Sequence, residues 1–197
     1  MRRHRKEGDD KVIGYAFCGS FCTLSHSLAA LRQLRADGYE VQPIMSEKTY
    51  ETDTRFWRAE DFCRAVRELC SRDIIHTIVE AEPLGPSVQL DALIIAPCTG
   101  NTLAKIASGI TDSAVTMAAK AHMRSDRTTV IALSSNDAMS ANLSNIATLL
   151  LRKNVYFVPM RQDDPEKKPH SLVADFTQVS ECLAGALNHR QKTPLFL

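Results

Sequence analysis

Thr99, Gly100, Asn101 and Thr102 form a run of small, hydroxylated and amide side chains, the types that surround an anionic ligand. Before them, residues 91–96 are an apolar run suited to a strand covered on both faces. After them, residues 103–107 have helical spacing. A strand that ends in such residues and opens a helix is where open α/β sheets hold anions. The first N–H groups of a helix are unpaired donors, and its dipole favours negative charge. The spacing therefore predicts an anion-binding turn over 97–102.

Two further strand ends share this character. Gly19-Ser20 follows an apolar run at 12–17, and Ser46 follows another at 39–45. Gly19 lets backbone approach a ligand closely, and Ser20 can hydrogen-bond a phosphate. The first loop lacks G-x-G-x-x-G, and no P-loop pattern occurs, so the two common nucleotide fingerprints are absent. Three strand ends of this kind point to a mononucleotide or similar phosphate ligand. An anionic substrate also needs a cation; Arg55, Lys105, Lys120 and Arg124 are available, and Arg55 in the loop Thr52-Asp-Thr-Arg-Phe56 is the first choice. Cys98 is read as a packing residue, because no general base lies near it in sequence. His76 is read as a strand-end histidine satisfied by backbone.

The elements that position these groups alternate. Strands are expected at 12–17, 39–45, 74–79, 92–96, 129–133 and 155–158. Helices are expected at 23–37, 58–70, 101–108, 113–121, 141–153 and 172–187, with 80–88 and 161–169 as loops. Such alternation implies an α/β fold, a three-layer α/β/α sandwich with a mostly parallel six-stranded sheet. Ligands then lie at the carboxyl ends of the strands. The five loops 18–22, 46–55, 80–86, 97–102 and 134–139 should converge there.

The chain has 197 residues with 24 basic and 23 acidic side chains, which suits a single domain and argues against a nucleic-acid or membrane surface. We expect a frayed basic tail at 1–11, one domain at 12–190 and a C-terminal tail at 191–197. The six cysteines form no C-x-x-C pair and no zinc spacing, so no metal site is expected. No signal peptide or membrane-spanning run is evident, and an intracellular, soluble protein is expected.

Pro97-Cys-Thr-Gly-Asn-Thr102 resembles the Pro-Ala-Ser-Ala-Asn-Thr motif of the homo-oligomeric flavin-containing cysteine decarboxylase superfamily, and Asn136-Asp-Ala-Met139 keeps the Asn-x-x-Met spacing of its second motif. Three longer strings are similar to one branch of it, the B-subunit family of the dipicolinate synthases of spore-forming bacteria: Thr52-Asp-Thr-Arg-Phe56, the stretch 75–86 and Gln162-Asp-Asp-Pro-Glu-Lys-Lys-Pro169. The resemblance implies a Rossmann-like or flavodoxin-like fold. It implies FMN held by Gly19, Ser20, Ser46, Thr99, Gly100, Asn101 and Thr102, with Asn136 and Arg55 as candidates for catalysis. It also implies a partner A subunit that brings NAD(P), a small dicarboxylate substrate, a homo-oligomer of three or more copies and the mother-cell cytoplasm. The activity implied is oxidation of dihydrodipicolinate to dipicolinate. An FMN-dependent decarboxylase and a non-catalytic binding subunit are the alternatives.

The departures bear on that choice. The decarboxylases carry a histidine shortly before the fourth strand, whereas this chain has Pro83-Leu-Gly-Pro86 and Ser87-Val-Gln-Leu90. Ser134-Ser135 stands where the second motif has its leading proline, and Cys98 and Gly100 replace alanines. Gly100 lacks a Cβ, so it is expected to leave room for a differently shaped ligand or a closer backbone approach.

Overall fold

The computed structural model describes residues 11–85 and 87–197, so the basic tail expected at 1–11 lies almost wholly outside the described residues. Five strands run parallel in the order β2-β1-β3-β4-β5: β1 (Val12–Phe17), β2 (Glu40–Met45), β3 (Ala92–Cys98), β4 (Thr128–Ser135) and β5 (Val155–Phe157). Every residue of β3 and β4 is buried, as continuous apolar runs in a doubly covered parallel sheet require.

Helices cover both faces. On one side α1 (Leu24–Ala36), α3 (Ala59–Cys70) and α8 (Val179–Leu187) bury Leu31, Leu34, Phe62, Val66 and Leu183 against Ile13, Tyr15, Phe17 and Ile94. On the other, α5 (Gly100–Ser108), α6 (Ala114–Met123) and α7 (Leu143–Leu150) bury Leu103, Val115, Ala118 and Ile146 against Leu93, Ile95, Ile131 and Leu133. The alternation of Leu93, Ile94 and Ile95 between the two cores is the period-two signature of a strand. This is the α/β/α sandwich expected, of Rossmann-like or flavodoxin-like type.

Two expected elements differ. The third strand expected at 74–79 is reduced to one bridge between Ile44 and Ile75, after which the chain turns into the helical turn α4 (Ile78–Ala81). A capping box decides this. Thr77 Oγ1 accepts from the Glu80 N–H at 3.2 Å, while the Glu80 carboxylate accepts from the Thr77 N–H at 3.1 Å and the His76 N–H at 2.9 Å. The helix expected at 172–187 splits into β7 (Leu172–Ala174), a 3-10 turn at Phe176–Gln178 and α8. β4 outlasts β5 by several residues, and β7 pairs antiparallel with that remainder, Ser134 opposite Val173 and Ser135 opposite Leu172. β6 (Met160–Arg161) pairs antiparallel with β7, giving seven strands among the described residues rather than six, with β7 alone running against the others. Asp175, whose Oδ1 accepts from the Thr177 N–H at 3.2 Å, starts the turn that follows.

The segment 191–197 is held against this edge. Met160 N–H donates to Leu195 O at 2.9 Å, Leu197 N–H donates to Met160 O at 3.0 Å, and Phe157 N–H donates to Gln191 Oε1 at 2.9 Å. No helix among the described residues is long and apolar enough to cross a membrane.

Candidate functional site

The carboxyl ends of β1, β2 and β3 bound a cleft of 760 Å³, with Gly19, Phe21, Ser46, Thr99, Asn101 and Thr102 on its walls. Its volume lies within the range of about 300–1,000 Å³ for small-molecule and cofactor sites. Three of its lining residues are helix N-caps: Ser46 of α2 (Glu47–Glu51), Thr99 of α5 and Ser113 of α6. Each cap accepts from an N–H of its own first turn: Thr49 at 3.3 Å, Thr102 at 3.1 Å and Thr116 at 3.2 Å. The cleft therefore receives several helix amino ends, a field that favours a negative group.

Its charged walls are partly committed. Lys105 Nζ meets Asp112 at 2.7 Å, and that hydrogen bond holds the Asp112 carboxyl below its usual range. Glu47 Oε1 accepts from the Ala114 N–H at 3.2 Å and so covers the start of α6. Lys48, also on the wall, is exposed.

Ser20 acts differently from the other hydroxyls. Its Oγ lies 2.9 Å from Ser134 Oγ and accepts from Thr23 Oγ1 at 3.0 Å, so it ties the first loop to the end of β4. Cys98 is fully buried, and burial pushes its thiol well above the ordinary value. Burial likewise raises Cys18 to about 11, against the Thr102 hydroxyl and the Thr99 backbone. Neither thiol supplies a thiolate near neutral pH, which fits a packing role.

The other singled-out residues lie elsewhere. Arg55 is exposed, with its guanidinium 4.8 Å from the Phe56 ring centroid. Lys120 and Arg124 line a separate 180 Å³ pocket where α5 and α6 end. Loop 80–86, expected at the crevice, instead leads to Gly85, where an added Cβ would lie 2.7 Å from Ala121 O of α6. His76 stacks on Tyr50 with ring centroids 3.8 Å apart, and its Nδ1 lies 3.2 Å from Glu80. A further groove of 640 Å³ runs along α1 and β7, lined by His26, Arg161, Asp163 and Phe176, and has none of the hydroxylated strand ends.

Gly100 requires a correction. The space left by its missing Cβ is not open to a ligand, because this chain's own groups fill it. A Cβ there would lie 2.5 Å from Ser135 Oγ, 2.6 Å from Asn142 Nδ2 and 2.8 Å from Asp137 Oδ1. Gly100→Ala is expected to lose ~1–3 kcal/mol by over-packing, seen as a lower urea midpoint at unchanged slope. An unchanged midpoint would mean that the cluster moves aside freely. Asn136 is exposed in the same loop. Sequence reasoning missed Ser113, Ser135, Asp137 and Asn142. Ser113 was legible from the Ser-x-x-Thr pattern at the start of α6, whereas the Gly100 cluster needed the tertiary contact.

The flavoprotein family model matches residues 1–187. The dipicolinate synthase B subunit of Bacillus subtilis (strain 168) is 40% identical over 187 residues, covering 95% of this chain and 94% of that protein. The crystal structure of the dipicolinate synthase B subunit from Bacillus halodurans C superposes with a TM-score of 0.87 at 37% identity, over 95% of this chain and 96% of that one. The FMN-dependent cysteine decarboxylase SpaF shares the fold, with a TM-score of 0.69 at 21% identity over 92% of this chain and 97% of that one. The chain belongs to the flavoprotein family, with dipicolinate synthase B subunits as its relatives within it.

Proposed function

We propose that this chain is the flavin-holding B subunit of a two-subunit synthase that oxidises dihydrodipicolinate to dipicolinate, together with an A subunit that brings NAD(P). The observation that carries this reading is 40% identity to a dipicolinate synthase B subunit over 95% of the chain, joined to a cleft edged by three helix N-caps. The donor set fits FMN: the amino ends of α2 and α5 suit its phosphate, and Gly19, Ser46, Thr99, Asn101 and Thr102 offer backbone and side-chain partners on one wall system. FMN supplies a two-electron acceptor there when bound.

The chain's own part is to bind and orient. Gly19 permits close backbone approach, and Ser20 locks the first loop against β4 through Ser134. Thr99 fixes the first turn of α5 and presents Asn101 at the cleft. Lys48, exposed on the wall, offers positive charge to a dicarboxylate, while Lys105 is held by Asp112. Homo-oligomerisation to three or more copies and action in the mother-cell cytoplasm of a sporulating bacterium belong to the same reading.

The test is the visible absorbance of the purified protein with and without added FMN, followed by mixing with the A subunit and dihydrodipicolinate. We expect a flavin spectrum and oxidation that needs both subunits. Protein that takes up no flavin and leaves the A subunit's activity unchanged would overturn the proposal.

A further inference from the structure

Outside the cleft, the pocket of 180 Å³ lies where α5, α6 and α7 end, and the two share no lining residue. Part of its wall is apolar. Ile106 is buried, Met123 is half-buried, and Ile110, 48% exposed, adds a third apolar side chain. Three cations line the same pocket: Lys120 in the last turn of α6, Arg124 at its carboxyl end and Arg152 just beyond α7. No acidic residue lines it. Among the described residues, none of the three cations has an ion pair or a side-chain hydrogen bond. Cations elsewhere in this nearly neutral chain are matched, as Lys105 is by Asp112 and Arg161 by Asp175.

A cation at a helix carboxyl end needs no ligand, because the helix dipole favours it. That reason serves each of these residues singly. It does not account for a shared hollow with apolar walls and no acid, where like charges repel until an anion comes between them.

The hollow sets the size and kind of its ligand. Its volume is below the range of about 300–1,000 Å³ typical of drug-sized ligands, so the occupant is small. A bare phosphate would meet the cations but leave Ile106, Ile110 and Met123 against water. A single carboxylate would leave a cation unmet. We propose that this pocket binds a compact organic diacid, its carboxylates on Lys120, Arg124 and Arg152 and its apolar body against Ile106 and Met123. Guanidinium groups suit the task, since each can hold a carboxylate through two parallel hydrogen bonds. The Thr111 hydroxyl, which has no partner among the described residues, is available to a carboxylate oxygen. The site is separate from the cleft and does not depend on the function proposed above.

The test uses the full chain with isotope-labelled methionine methyl groups, the Met123 signal being assigned through Met123→Leu. Dipicolinate, a compact aromatic diacid, is titrated against it, with benzoate and inorganic phosphate in parallel. Dipicolinate should shift the Met123 signal saturably, and the other two should need about tenfold higher concentration or more. Arg124→Ala and Arg152→Ala, both at exposed positions, should each weaken dipicolinate about tenfold. Lys153→Ala, an exposed neighbour outside the pocket, should change it by less than about twofold. A Met123 signal unmoved by millimolar dipicolinate would overturn the site, and so would dipicolinate held in the cleft alone, which leaves Met123 unmoved. Phosphate binding as tightly as dipicolinate would replace it with a plain inorganic-anion site. Equal losses in Arg152→Ala and Lys153→Ala would reduce it to diffuse surface charge. The flavin and synthase measurements above test the cleft separately, so either reading can fail without the other.

Discussion

Phe17→Ala is expected to destabilise the protein by ~3–5 kcal/mol, the range for emptying a buried aromatic site. Phe17 is the last residue of β1 and is fully buried. Its ring centroid lies 4.9 Å from that of Tyr15 and 5.3 Å from that of Phe62, the latter edge-on, and Phe62 meets Trp57 at 5.4 Å. Such pairs contribute beyond the area they bury. The same residue's carbonyl accepts from the Ser46 N–H at 3.0 Å, joining the first two strand ends of the cleft. Urea unfolding should show a lower midpoint, and amide exchange at Gly19 and Ser46 should quicken more than at α7. A loss below about 1 kcal/mol would show that the aromatic cluster collapses to refill the hole.

Acid should destabilise the fold through His122. This residue is 3% exposed, and its Nε2–H donates to Thr128 O at 2.8 Å. Burial pushes its pKa down to about 4; nearby Arg127 acts the same way, while the Thr128 carbonyl and Asp91 oppose. In the unfolded chain the imidazole titrates near ~6.5. The unfolded state therefore binds more protons between those values. The stability held by neutral His122 is complete above about pH 6.5 and is lost as pH falls through the window to about 4. The loss amounts to about 3 kcal/mol by linkage. His122→Gln removes the titrating group, so its stability should vary less with pH across that window than wild type. Glu40, Glu80, Asp163 and Asp175 are also held below the usual carboxylate range and act in the same sense at lower pH. They are shared by both proteins and cancel in the difference. Parallel pH curves for the two proteins would exclude His122 as the cause.

The layered fold was legible because its signals are local. Apolar runs at 12–17 and 92–96 suited covered strands, Ser113 began a helix, and Gly109 ended one in a left-handed conformation with φ of +74°. What escaped depends on distant partners. Nothing within 172–174 marks a strand; the unpaired end of β4, almost 40 residues earlier in the chain, makes it one. The turn at 78–81 carried its own sign, Thr77-Ile-Val-Glu80, but the β-branched run around it suggested a strand. In the cleft, the hydroxylated strand ends could be read because each belongs to its own strand-to-helix turn. Arg55 could not be placed, since a loop's sequence does not say which way a long side chain leaves it. The occupant of the space at Gly100 comes from a loop 35 to 42 residues further on, beyond any local pattern.

The two margins of the sheet bear on how copies of this chain can meet. On one side, the outer edge of β2 has its acceptor and donor taken: Ile75 N–H donates to Pro43 O at 3.1 Å, Met45 N–H donates to Ile75 O at 2.8 Å, and Pro43 itself has no N–H to offer. On the other, β6 is bonded to Leu195 and Leu197. Among the described residues these bonds cover part of each margin, which guards the protein against growth by strand addition there. Self-association is left to helix and loop surfaces, where exposed Leu143 and Leu151 stand two turns apart on and just beyond α7.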